Sequence, residues 1–235
     1  AKNDILLYNP AHRVEKVRVE KPQQRIPQQW EMRKLLQCLL QEPLLYRVFY
    51  LMALSTGLRR GELCALRWCD LHGGNQVKIQ HSRSTVVGQG VLESDTKNHR
   101  TRIVVMPQIV FDDLGELFTE QALENNGADW NGLIFQRKGK AIHPDSFSRH
   151  LRHLYDRNGF PEEYHLHTMR HFFATYLLEH GTSKQVAADL LGHADTAFLE
   201  RTYCHPQDIC KEEAAGLFDS LLAPAEEEYY DTLQD

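Results

Sequence analysis

Residues 56–63 read Thr-Gly-Leu-Arg-Arg-Gly-Glu-Leu, and this stretch decides how the chain leaves its core. Residues 44–56 before it are mostly apolar and predict a buried helix, which Gly57 ends because glycine is favoured just past a helix C-terminus. Arg59 emerges next from rigid structure, and Glu62 follows within reach of one helical turn. An arginine held in place and oriented by a carboxylate is typical of a functional site.

Outward from this stretch, the hydrophobic pattern predicts a mainly α fold with a small antiparallel three-stranded β-sheet. Residues 76–106 are rich in β-branched side chains and turn-forming glycines, which predicts about three strands there. Apolar stripes at helical spacing and glycine stops predict the helices. They run from Gln28 to Pro43, over Leu44–Thr56, from Arg60 to Leu66, from Pro107 to Gly127, over 144–158, 169–180 and 184–191, near 196–203, and from Pro206 to about Leu222.

Composition divides the chain into three parts. Residues 1–27 contain three prolines and many charges, and we expect a basic linker there. Residues 28–222 form the predicted folded domain. Residues 223–235 form an acidic tail that accounts for the net charge of −5, so the charge neither supports nor excludes DNA as a partner.

Cysteine and histidine usage argues against a metal site. The five cysteines are odd in number and include no CxxC pair, which argues against a disulfide framework and predicts a reducing, cytoplasmic setting. No apolar run is long enough to cross a membrane. Several histidines cluster late in the chain, but no Asp, Glu or Cys in the same block completes a ligand set. We therefore expect neither a metal nor a cofactor.

A second arginine lies in the block Thr168-Met169-Arg170-His171. Thr168 is a good N-cap residue, so the block predicts Arg170 in the first turn of a helix. Free backbone N–H groups gather there and favour anions, which makes the arginine suited to a phosphate oxygen. An ordinary surface salt bridge explains this block, taken alone, equally well.

Four ordered blocks of the sequence together resemble the tyrosine recombinases of the phage integrase family. The similarity spans residues 28–222, and the resemblance implies that these residues are a catalytic domain. It also implies that the basic linker at 1–27 comes from an N-terminal DNA-binding domain that this sequence lacks, and we expect weak DNA binding without that domain. The blocks are TGLR-x-x-E-L at Thr56–Leu63, a turn lysine and basic strand at Thr96–Arg102, H-x-x-R-H at His167–His171, and LGH at Leu191–His193 with Tyr203 ten residues after the histidine.

The resemblance implies a role for each cationic residue of these blocks. Arg59 and Arg170 would clamp the non-bridging oxygens of a scissile phosphate, and Glu62 would orient Arg59. His167 and His193 would donate further hydrogen bonds or move protons. Fixed cationic donors stabilise the negative charge of a phosphodiester transition state without a metal.

The resemblance also implies the nucleophile, the acid and the partners. Tyr203 would attack phosphorus and hold the DNA as a 3′-phosphotyrosine, while Lys97 would protonate the leaving 5′-oxygen. The expected partner is double-stranded DNA, with a homo-tetramer on DNA, a monomer free in solution and no membrane. The alternatives are a type IB topoisomerase-like enzyme and a non-catalytic DNA-binding relic. In the family, the segment beyond the tyrosine often docks on a neighbouring protomer, and the sequence leaves open whether it does so here.

Overall fold

The computed structural model describes residues 25–95, 101–192, 216 and 218. It is mostly helical with small antiparallel sheets, which confirms the predicted fold class. The helices are α1 (Gln29–Leu40), α2 (Leu44–Thr56), α3 (Arg60–Ala65), α4 (Gln108–Glu124), α5 (Pro144–Arg157), α6 (Leu166–Glu179) and α7 (Lys184–Leu191). The strands are β1 (Leu71–His72), β2 (Gln76–Ile79), β3 (His81–Val86), β4 (Gly90–Asp95), β5 (Arg102–Val105), β6 (Gln136–Arg137) and β7 (Lys140–Ala141).

Helix α2 forms the centre of the domain and packs against α1, α4 and α6. Every residue from Val48 to Thr56 is buried, as expected for a helix that is apolar on all sides. Gly57 ends it in the left-handed conformation, with φ of +63°. A Cβ at this position would approach Phe173 Cδ1 to 2.5 Å, so glycine also allows α6 to lie close. The predicted bounds of α2 are confirmed.

The sheet differs in detail from the prediction of three strands within residues 76–106. The observed three-stranded sheet has the order β1-β2-β5, and its edge strand β1 lies before residue 76. Strands β3 and β4 form a separate hairpin, with His81 opposite Asp95 and Val86 opposite Gly90. The difference arises because β2 pairs with β5 across the hairpin, and such non-local pairing leaves no local sequence pattern.

Helix α6 begins three residues earlier than the sequence suggested. His165 is the N-cap, and Thr168 lies inside the first turn, where its Oγ1 accepts a hydrogen bond of 3.1 Å from the His165 backbone N–H. Thr168 is the third residue of the helix, and its hydroxyl therefore accepts the backbone hydrogen bond of the N-cap residue. The prediction that Arg170 lies in the first turn is wrong, and His167 lies there instead.

The far end of the chain contributes to the core through Phe218. This residue is fully buried, and its ring centroid lies 5.2 Å from that of Phe173 and 5.0 Å from that of Tyr176. Gly216 and Phe218 are both helical. Phe218 thus packs on α6 of its own chain. Within the described ranges, no helix is long and apolar enough to cross a membrane.

Candidate active site

Arg170 is a buried arginine of α6 whose guanidinium is fixed by backbone carbonyls. Nη1 donates a hydrogen bond of 2.5 Å to the Gly57 oxygen, and Nη2 donates one of 2.7 Å to the Leu191 oxygen. Burial, and then the nearby charge of Arg59, lower the pKa of Arg170 to about 9. The side chain therefore stays cationic at neutral pH, and core contacts, not the helix start, set its position.

Arg59 lies at the N-cap of α3, beside the buried carboxylate of Glu62. Glu62 Oε2 accepts a hydrogen bond of 2.9 Å from the Arg59 backbone N–H, and Oε1 accepts one of 2.9 Å from Arg59 Nη1. Burial raises the pKa of Glu62, but hydrogen bonds and charges from Arg102 and Arg59 outweigh it and hold the pKa below its usual value. The Arg59 side chain is 34% exposed against 2% for Glu62, so the arginine can reach a ligand.

The guanidiniums of Arg59 and Arg170 meet at the C-terminal end of α7. Arg59 Nη1 lies 3.5 Å from the Leu191 carbonyl oxygen, which also accepts the hydrogen bond from Arg170 Nη2. Carbonyls at a helix C-terminus lack partners within the helix and carry partial negative charge, which attracts both cations. Two arginines that are far apart in sequence thereby form one cationic pair.

Three histidines lie beside this pair on α6 and its cap. The ring centroids of His167 and His171 are 4.6 Å apart, and those of His165 and His167 are 6.4 Å apart. His167 is exposed to water on one side, yet partial desolvation followed by the charges of His171 and Arg170 lowers its pKa to about 4. His167 is therefore a neutral hydrogen-bonding group at pH 7 in the free protein.

The arginine pair lines an open cleft of about 510 Å³ between α3, α5 and the start of α6. Arg60 also reaches the cleft, but its Nη1 is paired with Asp145 Oδ1 at 2.7 Å. Arg152 holds the far wall, where its Nη1 donates to the Glu162 and Tyr164 carbonyl oxygens at 2.9 and 3.3 Å. In the described part of the chain, no group of three or more His, Cys, Asp or Glu side chains could hold a metal ion.

The structure brings together four of the residues that the sequence singled out, namely Arg59, Glu62, His167 and Arg170. Lys97, His193 and Tyr203 lie outside the described residues. Sequence reasoning placed Arg102 only in a basic strand and assigned it no function. Its contact with Glu62 was missed because the two residues are forty positions apart.

Comparisons with known proteins agree with the mostly helical fold. The fold is that of solved recombinases: the Tn1549 transposon integrase in complex with transposon right end DNA has a TM-score of 0.69 at 19% identity, covering 97% of this chain and 74% of that one. XerA recombinase has a TM-score of 0.60 at 22% identity, covering 92% of this chain and 67% of that one. At these identities the likeness concerns the fold alone.

Sequence similarity defines the family. The profile of the phage integrase family matches residues 27–209, so the chain belongs to that family of tyrosine recombinases. The ICEBs1 integrase of Bacillus subtilis (strain 168) is 26% identical over 227 residues, which cover 93% of this chain and 61% of the integrase. Tyrosine recombinase XerC of Xanthomonas axonopodis pv. citri (strain 306) is 30% identical over 167 residues, which cover 71% of this chain and 47% of XerC.

Proposed function

We propose that this chain cuts and rejoins DNA strands in site-specific recombination through a covalent 3′-phosphotyrosine intermediate. The observation that carries the proposal is the convergence of Arg59 and Arg170 on one carbonyl oxygen at an open cleft. Both relatives above are named for recombination or integration, and this chain spans 61% and 47% of their lengths. The proposal therefore concerns the catalytic portion of a longer recombinase.

The arginine pair would bind the scissile phosphate. One guanidinium approaches from the end of α2 and the other from α6, so each can donate to a different non-bridging oxygen. Their geometry exists before DNA binds, which means that little reorganisation accompanies the reaction. Neutral His167 would add a hydrogen bond to the phosphate at the open side of the cleft. Glu62 would fix the orientation of the Arg59 guanidinium.

The strand transfer would use residues carried over from the family by position. The phenolic oxygen of Tyr203 forms a bond to phosphorus as the bond from phosphorus to the 5′-oxygen breaks. Lys97 gives its proton to that oxygen, and His193 or His167 accepts the phenol proton. Because an isolated phenol has a pKa of about 10, the tyrosine needs nearby cations to react. The new phosphodiester keeps the bond energy, so rejoining needs neither ATP nor a metal.

The setting of this activity is part of the proposal. Residues 28–222 would be the catalytic domain, between a basic linker at 1–27 and an acidic tail at 223–235. The partner is double-stranded DNA of a mobile element, bound by a homo-tetramer that forms on DNA from monomers. The described cysteines are free thiols, in keeping with a reducing cytoplasm.

A covalent-capture experiment tests the function without knowledge of the target site. Nicked duplexes of random sequence are incubated with the full chain, and protein-linked DNA is recovered under denaturing conditions and sequenced. We expect enrichment of one sequence, hereafter the captured duplex, with equal yield in EDTA. A captured duplex carrying a 5′-thio leaving group should react without Lys97, since a thiolate needs no proton.

The matched arginine variants complete the test. Arg170→Met should abolish capture, whereas Arg47→Met should not, because Arg47 forms its bidentate pair with Asp113 away from the cleft. No adduct from the unmodified chain would overturn the proposed function. An adduct that relaxes supercoiled plasmid but never exchanges strands between two captured duplexes would indicate a topoisomerase-like enzyme instead.

A further inference from the structure

Arg102 is a mostly buried arginine at the first position of β5, behind the proposed active site. Its Nη2 and Nη1 donate hydrogen bonds to the two carboxylate oxygens of Glu62, at 2.7 and 3.1 Å. Its Nε donates a third, of 2.9 Å, to the carbonyl oxygen of Leu190 near the end of α7. Arg102 is not among the residues that line the cleft, and its Nε, Nη1 and Nη2 all donate within the protein, so it does not face a ligand there as Arg59 does.

Glu62 is shared between Arg102 and Arg59. Oε1 accepts from Nη1 of both arginines, and Oε2 accepts from Arg102 Nη2 and from the Arg59 backbone N–H. Each carboxylate oxygen thus has two donors, which fixes the plane of the carboxylate. Without Arg102, the carboxylate would be held by Arg59 alone, whose side chain is one-third exposed.

The same guanidinium also holds the end of α7. The Leu190 carbonyl oxygen accepts a hydrogen bond from Arg102 as that of Leu191 does from Arg170, so both terminal carbonyls have charged partners. Gly192 lies directly against Arg102, and a Cβ there would come within 2.7 Å of Nη1. His193 follows Gly192 directly in the sequence.

We propose that Arg102 is a positioning residue that fixes the relative positions of the proposed catalytic residues. It fixes Glu62, and through it Arg59, while holding the helix end from which the segment of His193 and Tyr203 departs. It also anchors β5, which begins five residues after Lys97. This inference rests on the proposed function, because the relative positions of these groups matter only if they act on one phosphate.

The test compares Arg102→Met and Arg102→Lys with Arg47→Met, each in the full chain. Arg47 is the matched control because it too makes a bidentate pair with a mostly buried carboxylate, that of Asp113. Single-turnover cleavage of the captured duplex is measured at saturating protein, together with Kd and the melting temperature. We expect both Arg102 variants to lose about 100-fold in cleavage rate, the scale of a small misplacement, at unchanged Kd. Lysine keeps the charge but cannot form the fork, so it should not restore the rate.

Two further measurements separate positioning from general damage to the fold. On a captured duplex with a neutral methylphosphonate at the scissile position, Arg59 has less charge to offset, so the deficit of the Arg102 variants should shrink. In a double-mutant cycle, Glu62→Gln should add little to Arg102→Lys, because both act through one pair. If Arg102→Met does not fold, the lysine variant carries the test.

The outcomes distinguish the two proposals. Equal deficits on phosphate and methylphosphonate, additive losses in the cycle, or an equal rate loss in Arg47→Met would overturn the positioning role and leave the proposed function standing. The absence of any adduct with the unmodified chain would overturn the proposed function, and the positioning role with it.

Discussion

Arg170 and Leu191 are joined by a hydrogen bond of 2.7 Å from the guanidinium Nη2 to the carbonyl oxygen at the end of α7. The contact links the middle of α6 to the point where the chain leaves α7 for the proposed nucleophile. A residue assigned to phosphate binding thus also supports the fold. Arg59, which shares the same carbonyl but is one-third exposed, bears less of that structural role.

This difference predicts that substitutions of the two arginines lower the stability by different amounts, although both abolish activity. Arg170→Met leaves the Gly57 and Leu191 carbonyls without their charged donor, and should lower the free energy of unfolding by about 2 kcal/mol. Arg59→Met breaks a partly exposed pair and should cost less than about 1 kcal/mol. Both should abolish covalent capture. Urea unfolding checks the first part, and equal stability losses would contradict it.

Glu62→Gln should destabilise the fold in a pH-dependent way. The amide cannot offset Arg59 and Arg102, and breaking a buried pair in this manner costs roughly 3 kcal/mol at neutral pH. The pKa of Glu62 lies below its usual value, so its contribution is complete above the unfolded pKa and is lost as the pH falls through the folded one. Melting temperatures of the two proteins should therefore converge below about pH 4, near the unperturbed carboxyl pKa. A constant gap would contradict this.

His167→Asn should protect the fold against mild acid. The folded pKa of about 4 lies below the ordinary histidine value, so the unfolded chain binds the proton more readily, and stability is lost as the pH falls from the ordinary value toward 4. His171, His165, Arg170 and Arg59 all face this ring and oppose its charge. Melting curves should fall less steeply between those pH values in the variant. His72→Asn, on an exposed position of β1, is the control for the substitution itself.

Two glycine variants measure how closely Arg102 packs on the end of α7. Gly159 and Gly192 have φ of +66° and +63°, so alanine meets the same backbone strain at both, about 1–2 kcal/mol. A Cβ at Gly159 meets nothing within 4 Å, whereas at Gly192 it meets Arg102. Gly192→Ala should therefore cost more in chemical denaturation and also slow cleavage. Equal losses of stability in the two variants would show that the Arg102 side chain can move aside without cost, which would contradict close packing.

Local signals explain which parts of the fold could be predicted. Pro43 and Gly57 gave both ends of α2, and Gly192 ended α7 as expected. The start of α6 was misplaced because a threonine can serve as a cap or return to one from the third position, and the sequence motif does not distinguish these. The division into two sheets depends on β2 pairing with β5, which no local pattern encodes.

The candidate site shows the same division between local and distant information. Arg59 and Glu62 are three residues apart, so their pairing could be predicted from helical spacing. The convergence of Arg170 on α7 and the contact of Arg102 with Glu62 join segments far apart in the chain, and only the folded structure brings them together. Arg102 carried no signal beyond being a charged residue at the start of a strand.

If a tyrosine attacks the phosphate that is bound in the arginine cleft, DNA becomes linked to that tyrosine. Identification of the DNA-linked residue is therefore the decisive measurement. The covalent adduct with the captured duplex is digested with nuclease and trypsin, and the nucleotide-bearing peptide is sequenced by mass spectrometry. We expect the nucleotide on Tyr203, within the peptide Thr202–Lys211, and no adduct from Tyr203→Phe. A nucleotide on any other residue, or an adduct that persists in Tyr203→Phe, would contradict it.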